Sequence, residues 1–243
     1  LELDSLGLNH LSWVRRVLLD GQDVLPSLLE RLMGAGRPAN MPEELDYPPA
    51  FVRALGMVPS SYLRFYYLTR RVVQELEQRP QSRAEEVFAI EQKLWEVYRD
   101  PQQDEKPALL GERGGAYYSR AALDLLEAIH FDRGARLVVD TRNRGAIACL
   151  PDDCTVEVPC RVDAAGTSPL PLAPPHPSIR GLMQHVKAYE ELAVEAAVSR
   201  RRRLALLALV AHPLVADAEL AVTLVDEICT DHAIQLDDDP GPP

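Results

Sequence analysis

The stretch Pro59-Ser60-Ser61-Tyr62-Leu63-Arg64-Phe65-Tyr66-Tyr67 places three of the chain's eight tyrosines within six positions. One of these phenols could act as a general base, provided its surroundings lower a pKa that lies near 10 in water. The same rings also fit a core-facing stripe. Tyr62, Phe65/Tyr66, Thr69, Val72/Val73 and Leu76 follow the three-to-four-residue helical period. Pro-Ser-Ser ahead of an apolar-periodic run marks a helix start, so Tyr62 is expected in a first helical turn. Periodicity does not choose between packing and catalysis.

Other chemistry-bearing residues give weaker signals. Arg200 to Arg203 form a basic run that could bind phosphate, although a solvated helix end is the favoured reading. Cys149, Cys154, Cys160 and Cys229 form no CxxC pair and read as buried reduced thiols rather than a disulfide framework or zinc site. There is no G-x-G-x-x-G or Walker loop, no G-x-S-x-G elbow and no H-E-x-x-H.

The 243 residues suffice for a substantial core, and 47% hydrophobic with 26% charged residues is the balance of a globular protein. A formal charge of −11 argues against nucleic-acid binding. No run approaches the roughly 18 apolar residues of a membrane span, and the start does not resemble a signal peptide. A cytoplasmic protein is expected. The opening Leu-Glu-Leu-Asp-Ser-Leu-Gly-Leu reads as a strand already under way, so a fragment of a longer chain is expected.

The elements that must position these residues follow from local patterns. Leu3 to Leu19 is strand-like, with a turn at Asp20-Gly21. Leu25 to Met33 reads as a short helix and residues 34–49 as a loop. After the aromatic helix and Pro80, Ser82-Arg83-Ala84-Glu85 matches a capping box. The helix it opens buries Val87, Ile90, Leu94 and Val97/Tyr98. A loop over 99–112 and the Arg113-Gly114-Gly115 lead-in precede a helix through Leu123, Leu126 and Ile129. From Ala135 to Val162 the pattern turns to β, with Arg142-Asn143-Arg144-Gly145 as a turn and Val156, Val158, Cys160 and Val162 alternating. A connector over 163–177 leads to helices from Ile179 and from Asp217 to His232, and the 237–243 tail is expected to be disordered.

Seven stretches, in order, resemble the C-terminal half of the family 4 glycoside hydrolases, the NAD- and manganese-dependent 6-phospho-glycosidases. They are Gly7 to Trp13, Pro59 to Tyr67, Arg113 to Ser119, Thr141 to Ile147, Leu150-Pro151-Asp152-Asp153, Val158-Pro159-Cys160 and Ala211-His212-Pro213-Leu214. The tyrosine segment is closer to the 6-phospho-β-glucosidase branch than to the α-specific one. The resemblance implies a mechanism unlike the two-carboxylate scheme of most glycosidases. In it, NAD oxidises the sugar C3 hydroxyl, a divalent metal polarises the resulting ketone, a base removes the C2 proton, and the leaving group departs from C1 by elimination.

Residue by residue, the resemblance makes His10 a metal ligand, Asn9 a substrate contact, Tyr62 the base that takes the C2 proton, and Arg83 a substrate-site arginine. His10 is expected at a strand end; without the resemblance, a satisfied histidine near a core strand is an equal reading. If residues 62–78 form one straight helix, Arg83 lies about 25 Å from Tyr62, at roughly 1.5 Å per residue. That distance favours Arg83 completing the site of a neighbouring subunit. The resemblance also implies a preceding Rossmann half that carries the NAD site and a metal-binding cysteine, so this chain alone is expected to be inactive.

The fold expected is α+β. A mixed sheet from residues 1–20 and 135–162 is covered by helices, and residues 1–236 form the substrate and oligomerisation domain of a lactate/malate-dehydrogenase-like two-domain enzyme. A homodimer or homotetramer acting on a phosphorylated disaccharide follows from the resemblance. The alternatives are a non-catalytic substrate and oligomerisation domain, a 2-hydroxy-acid dehydrogenase relative, and 6-phospho-α-glucosidase specificity.

Overall fold

The structure is a computed structural model and describes residues 2–34, 47–113 and 118–238. It is α+β, and the chain divides into two compact units. The first comprises Leu1–Tyr67, Val138–Cys160 and Pro169–Pro243; the second comprises Leu68–Leu137 and Arg161–Ser168.

The first unit is built on a hairpin. Strand β1 (Glu2–Leu8) pairs antiparallel with β2 (Leu11–Leu19), in register Leu8↔Leu11, Gly7↔Ser12 and Leu6↔Trp13. The single strand-like run from Leu3 to Leu19 is therefore two strands, and Asn9-His10 is the two-residue turn between them. Gly7 permits the close pairing, because a Cβ there would lie 2.2 Å from the Leu11 carbonyl oxygen. Leu6, Leu8 and Trp13 bury the inner face.

A register shift between Asp4 and Ser5 leaves Arg15 as an extra residue on β2. Such a bulge bends the strand and re-aims a side chain. As a result the consecutive residues Arg15 and Arg16 both reach the buried Asp4 carboxylate, at 2.7 and 2.8 Å. The Asp20-Gly21 turn forms as the sequence requires, with φ of 50° and 80°, and returns the chain into β3 (Gln22–Asp23).

Helix α1 (Leu25–Gly34) follows, then α2 (Pro49–Leu55), whose proline sits at the helix start where its missing N–H costs nothing. The expected 34–49 loop falls mostly outside the described residues. Strand β4 (Val58–Pro59) pairs with Val14 and Trp13 on β2. The sheet order is β3-β2-β1-β6-β5, with β4 on β2 and β7 on β6. Strands β5 (Ala135–Arg142), β6 (Thr155–Asp163) and β7 (Gly166–Pro169) contribute residues to both units. Strand β7 occupies part of the 163–177 segment read as a connector.

Between β5 and β6, Asn143 is wholly buried and ties the loop to itself. Its amide nitrogen donates to the carbonyls of Ile147, Leu150 and Pro151 at 3.0–3.1 Å, and its oxygen accepts from Ile147 N–H at 2.7 Å. Helix α8 (Pro177–Ser199) packs Ile179, Met183 and Val186 into the core of this unit. Its buried Lys187 reaches the Thr155 carbonyl at 2.9 Å and pairs with Glu190.

The basic run is a helix junction. Arg200 ends α8 with a left-handed backbone, Arg201 precedes α9 (Arg202–Ala211), and Arg202 pairs with Asp226 on α10 (Ala218–Asp231). Asp237, expected to belong to a disordered tail, bridges this junction: its N–H donates to Arg200 O at 2.7 Å and its carbonyl accepts from Arg202 N–H at 3.0 Å.

The aromatic helix is not continuous. Ser61–Leu63 is a 3-10 turn, α3 (Arg64–Tyr67) follows, Leu68 leaves helical geometry at φ −127° and ψ 30°, and α4 (Thr69–Glu77) starts anew. The break falls at the boundary between the two units.

The second unit holds α4, α5 (Arg83–Tyr98), α6 (Leu110–Arg113) and α7 (Tyr118–His130). The predicted capping box is present: Ser82 Oγ accepts from Glu85 N–H at 3.2 Å and Glu85 accepts from Ser82 N–H at 2.7 Å. Donation from Ser82 N–H, and from the Ser82 hydroxyl at 2.9 Å, holds the Glu85 carboxyl below its ordinary value. Gly114-Gly115 lies outside the described residues.

Candidate active site at the tip of the first hairpin

The turn between β1 and β2 carries two of the residues singled out from sequence. His10 adopts φ 63°, a left-handed backbone that Cβ-bearing residues avoid and glycine accepts. This position is the tip of the hairpin rather than a strand end, and the imidazole stands exposed there. The Tyr62 ring packs against it, with centroids 4.5 Å apart and planes inclined at 39°. Tyr62 keeps 49% of its surface exposed, unlike the buried Leu63 that follows it.

These two residues are far apart in sequence, and the sheet brings them together. Strand β4 pairs Pro59 with Trp13, and Ser60 N–H donates to Ser12 O at 2.9 Å. The Ser60 hydroxyl donates to the His10 carbonyl at 2.5 Å. One turn on, the buried Trp13 indole donates to Tyr67 Oη at 3.1 Å. The segment that bears Tyr62 is thus fastened to β2 on both sides of the tyrosine.

Asn9 Nδ2 donates to Asp140 Oδ2 on β5 at 2.9 Å. An ionised carboxylate only accepts, so this contact fixes which way the amide faces. Nδ2 is turned to Asp140, and Oδ1 is left as an acceptor on the exposed tip. Asp140 and Ser60 are the residues that sequence reasoning did not single out. Asp140 sits on an exposed strand face with no local motif, and Ser60 was read only as part of a helix start.

The neighbouring tyrosines differ from Tyr62. Tyr67 is half-buried, its phenol is pushed up by burial, and its ring lies 4.8 Å from Phe51. Tyr66 is likewise pushed up, chiefly by burial and then by Tyr189 and Glu190. Both hold their protons at neutral pH and pack. Tyr66 faces His212, whose ring meets Tyr189 edge-on at 4.5 Å and whose imidazole is lowered by burial.

Arg83 belongs to the second unit, at the first position of α5. Its guanidinium donates to the carbonyls of Glu112 and Arg113 at 2.8 and 3.2 Å and to Glu86 at 3.2 Å. The expected 25 Å separation from Tyr62 assumed a single straight helix from Tyr62 onward. The break at Leu68 removes that premise, and with it the distance argument for a neighbouring subunit.

His10 offers an exposed imidazole nitrogen, a suitable donor for a divalent transition metal. Among the described residues no group of three or more His, Cys, Asp or Glu side chains converges on one point, so further ligands would have to come from elsewhere. The cysteines do not replace them. All four are free thiols, and burial pushes Cys160 up to about 11 and raises Cys149 and Cys154 as well. No helix among the described residues is long and apolar enough to cross a membrane.

Comparison with known proteins places the chain in a family. The family 4 glycosyl hydrolase C-terminal domain matches residues 5–215. A probable 6-phospho-beta-glucosidase of Bacillus subtilis is 37% identical over 241 residues, covering 97% of this chain and 54% of that protein. The 6-phospho-beta-glucosidase BglT of Thermotoga maritima is 37% identical over 226 residues, covering 93% of this chain and 53% of that protein. A structure of the 6-phospho-beta glucosidase from Thermotoga maritima with manganese, NAD+ and glucose-6-phosphate superposes with a TM-score of 0.86 at 35% identity, over 97% of this chain and 55% of that one. The chain spans about half the length of these relatives. It belongs to the family 4 glycosyl hydrolases and carries their C-terminal domain.

Proposed function

We propose that this chain is the substrate-side part of a 6-phospho-β-glucosidase that works with NAD and a divalent metal such as manganese. The observation that carries this reading is the meeting of the His10 and Tyr62 rings at 4.5 Å on the exposed hairpin tip. The β preference is supported by the two relatives at 37% identity, both of them 6-phospho-beta-glucosidases.

When bound, NAD and the metal supply reversible oxidation at sugar C3 and the Lewis acidity that loosens the C2 proton. This chain's residues do the rest. His10 holds the metal through an imidazole nitrogen. Tyr62 takes the C2 proton onto its phenolic oxygen as the leaving group departs from C1 and picks up a proton; water then adds across C1–C2, its oxygen to C1 and the proton held by Tyr62 back to C2, before C3 is reduced again. Asn9 accepts a sugar hydroxyl through Oδ1, while Arg83 contributes to substrate binding. Dinucleotide binding is assigned to a Rossmann segment such as the family resemblance implies, and this chain supplies the substrate side. The working assembly is a homodimer or homotetramer. The reaction is read as cytoplasmic.

The test is turnover by the full-length enzyme of matched β- and α-linked 6-phospho-glucosides, with NAD and manganese omitted in turn. Cleavage of the β-linked substrate that requires both additions is expected. Preference for the α-linked substrate would contradict the specificity, and cleavage without NAD would contradict the mechanism.

A further inference from the structure

Ser60 occupies the N-cap position of the 3-10 turn Ser61–Leu63, with the extended backbone typical of that position, φ −62° and ψ 159°. Serine is favoured there because its hydroxyl satisfies an orphaned N–H of the first helical turn. Ser60 makes no such capping bond. Its hydroxyl is instead turned away from its own helix and donates to the carbonyl of His10, fifty positions earlier, at 2.5 Å.

The acceptor is an unusual residue. His10 is a β-carbon-bearing residue held at φ 63° in a tight turn, a conformation that persists only where surrounding structure fixes it. Ser60 supplies such a constraint through its hydroxyl, from a backbone held on both sides. Its N–H is fixed to Ser12 O at 2.9 Å and its own carbonyl accepts from the Tyr47 hydroxyl at 2.9 Å, so its hydroxyl reaches His10 from a pinned backbone. Two residues on, Tyr62 lays its ring against the His10 imidazole at 4.5 Å.

We propose that Ser60 is a positioning residue, which forgoes its helix cap in order to hold the left-handed His10 and so sets the imidazole against the Tyr62 phenol. The inference rests on the roles assigned above to His10 and Tyr62. It adds a support of the kind that orients ligand-bearing residues from behind, where small displacements lower catalysis without removing any reacting group. Because the hydroxyl caps nothing, Ser60→Ala loses no helix cap, and the helix start is left as it was.

The experiment compares Ser60→Ala and Ser60→Thr in the full-length enzyme, by metal-free crystal structure and by steady-state kinetics. In Ser60→Ala, the His10 turn is expected to leave its left-handed geometry and the His10–Tyr62 ring separation to grow. kcat is expected to fall roughly 10- to 100-fold with KM within about twofold, the scale of a small misplacement. Ser60→Thr, which keeps the hydroxyl, restores both. A Ser60→Ala structure with the His10 turn unchanged overturns the proposal, as does a displaced turn with unchanged kcat. If Ser60→Ala does not fold, Ser60→Thr and Ser60→Cys carry the test, since a thiol is a weak donor; identical His10 geometry and kcat in that pair overturn it. Should His10→Ala and Tyr62→Phe leave turnover intact, the functional reading fails instead, and the displaced turn in Ser60→Ala still reports on Ser60.

Discussion

His10 and Tyr62 are a ligand-type side chain and a base-type side chain in van der Waals contact, and each has a consequence that can be measured singly. If His10 holds the metal, His10→Ala raises the manganese concentration needed for half-maximal turnover by at least about tenfold, the loss seen when even a supporting partner of a ligand is removed. Metal titration of the mutant checks this, and an unchanged requirement would move the metal elsewhere. Asn9 is oriented by its 2.9 Å bond to Asp140. Without that acceptor the amide is free to flip, and one well-placed hydrogen bond to the sugar is lost. Asp140→Ala should therefore raise KM roughly tenfold with a smaller effect on kcat, while Asp140→Asn, whose carbonyl still accepts, should be milder. A kcat effect larger than the KM effect would contradict a role confined to substrate orientation.

At the scale of elements, what was legible in the sequence divides by the distance between the partners. The capping box at Ser82 and Glu85 was readable because its groups lie three residues apart. The Asp20-Gly21 turn was readable because both residues tolerate positive φ. The break at Leu68 was not, since residues 61–79 contain neither proline nor glycine. The fixed end of α3 is the bond between Tyr67 and Trp13, 54 positions away, which no local window contains. Asn9-His10 was likewise hidden as a turn because neither residue is a glycine, and the Asn9 contact with Asp140 spans 131 positions.

The element most exposed to mutation is the β5–β6 loop. Asn143→Ala strands three buried backbone groups, Ile147 N–H and the Ile147 and Leu150 carbonyls, and also frees the part-buried Pro151 carbonyl. It should destabilise the protein by about 3 kcal/mol in urea unfolding. A loss below about 1 kcal/mol would mean that water replaces the amide at little cost.

For the whole molecule, the raised groups predict a weak alkaline side. The Cys160 thiol titrates at about 11 in the folded chain against 9.0 when free, and the Tyr66 and Tyr67 phenols also lie above their ordinary value. A folded pKa above the unfolded one gives stability that is complete below the unfolded value and lost as pH rises. Melting temperature should therefore decline from about pH 9 toward about pH 11, and Cys160→Ala should remove part of that slope. A slope unchanged in Cys160→Ala would rule out this thiol as its source.

Asn9, His10 and Tyr62 lie in the first unit and Arg83 in the second. The account stands on proton removal from sugar C2 by Tyr62 within the complete enzyme. Its most direct test is Tyr62→Phe, which keeps the ring against His10 and removes only the phenolic oxygen. Exchange of the substrate C2 hydrogen with solvent deuterium should be lost, and kcat should fall about 10²- to 10⁴-fold while NAD binding is retained. Exchange and turnover at the unmutated rate would contradict it.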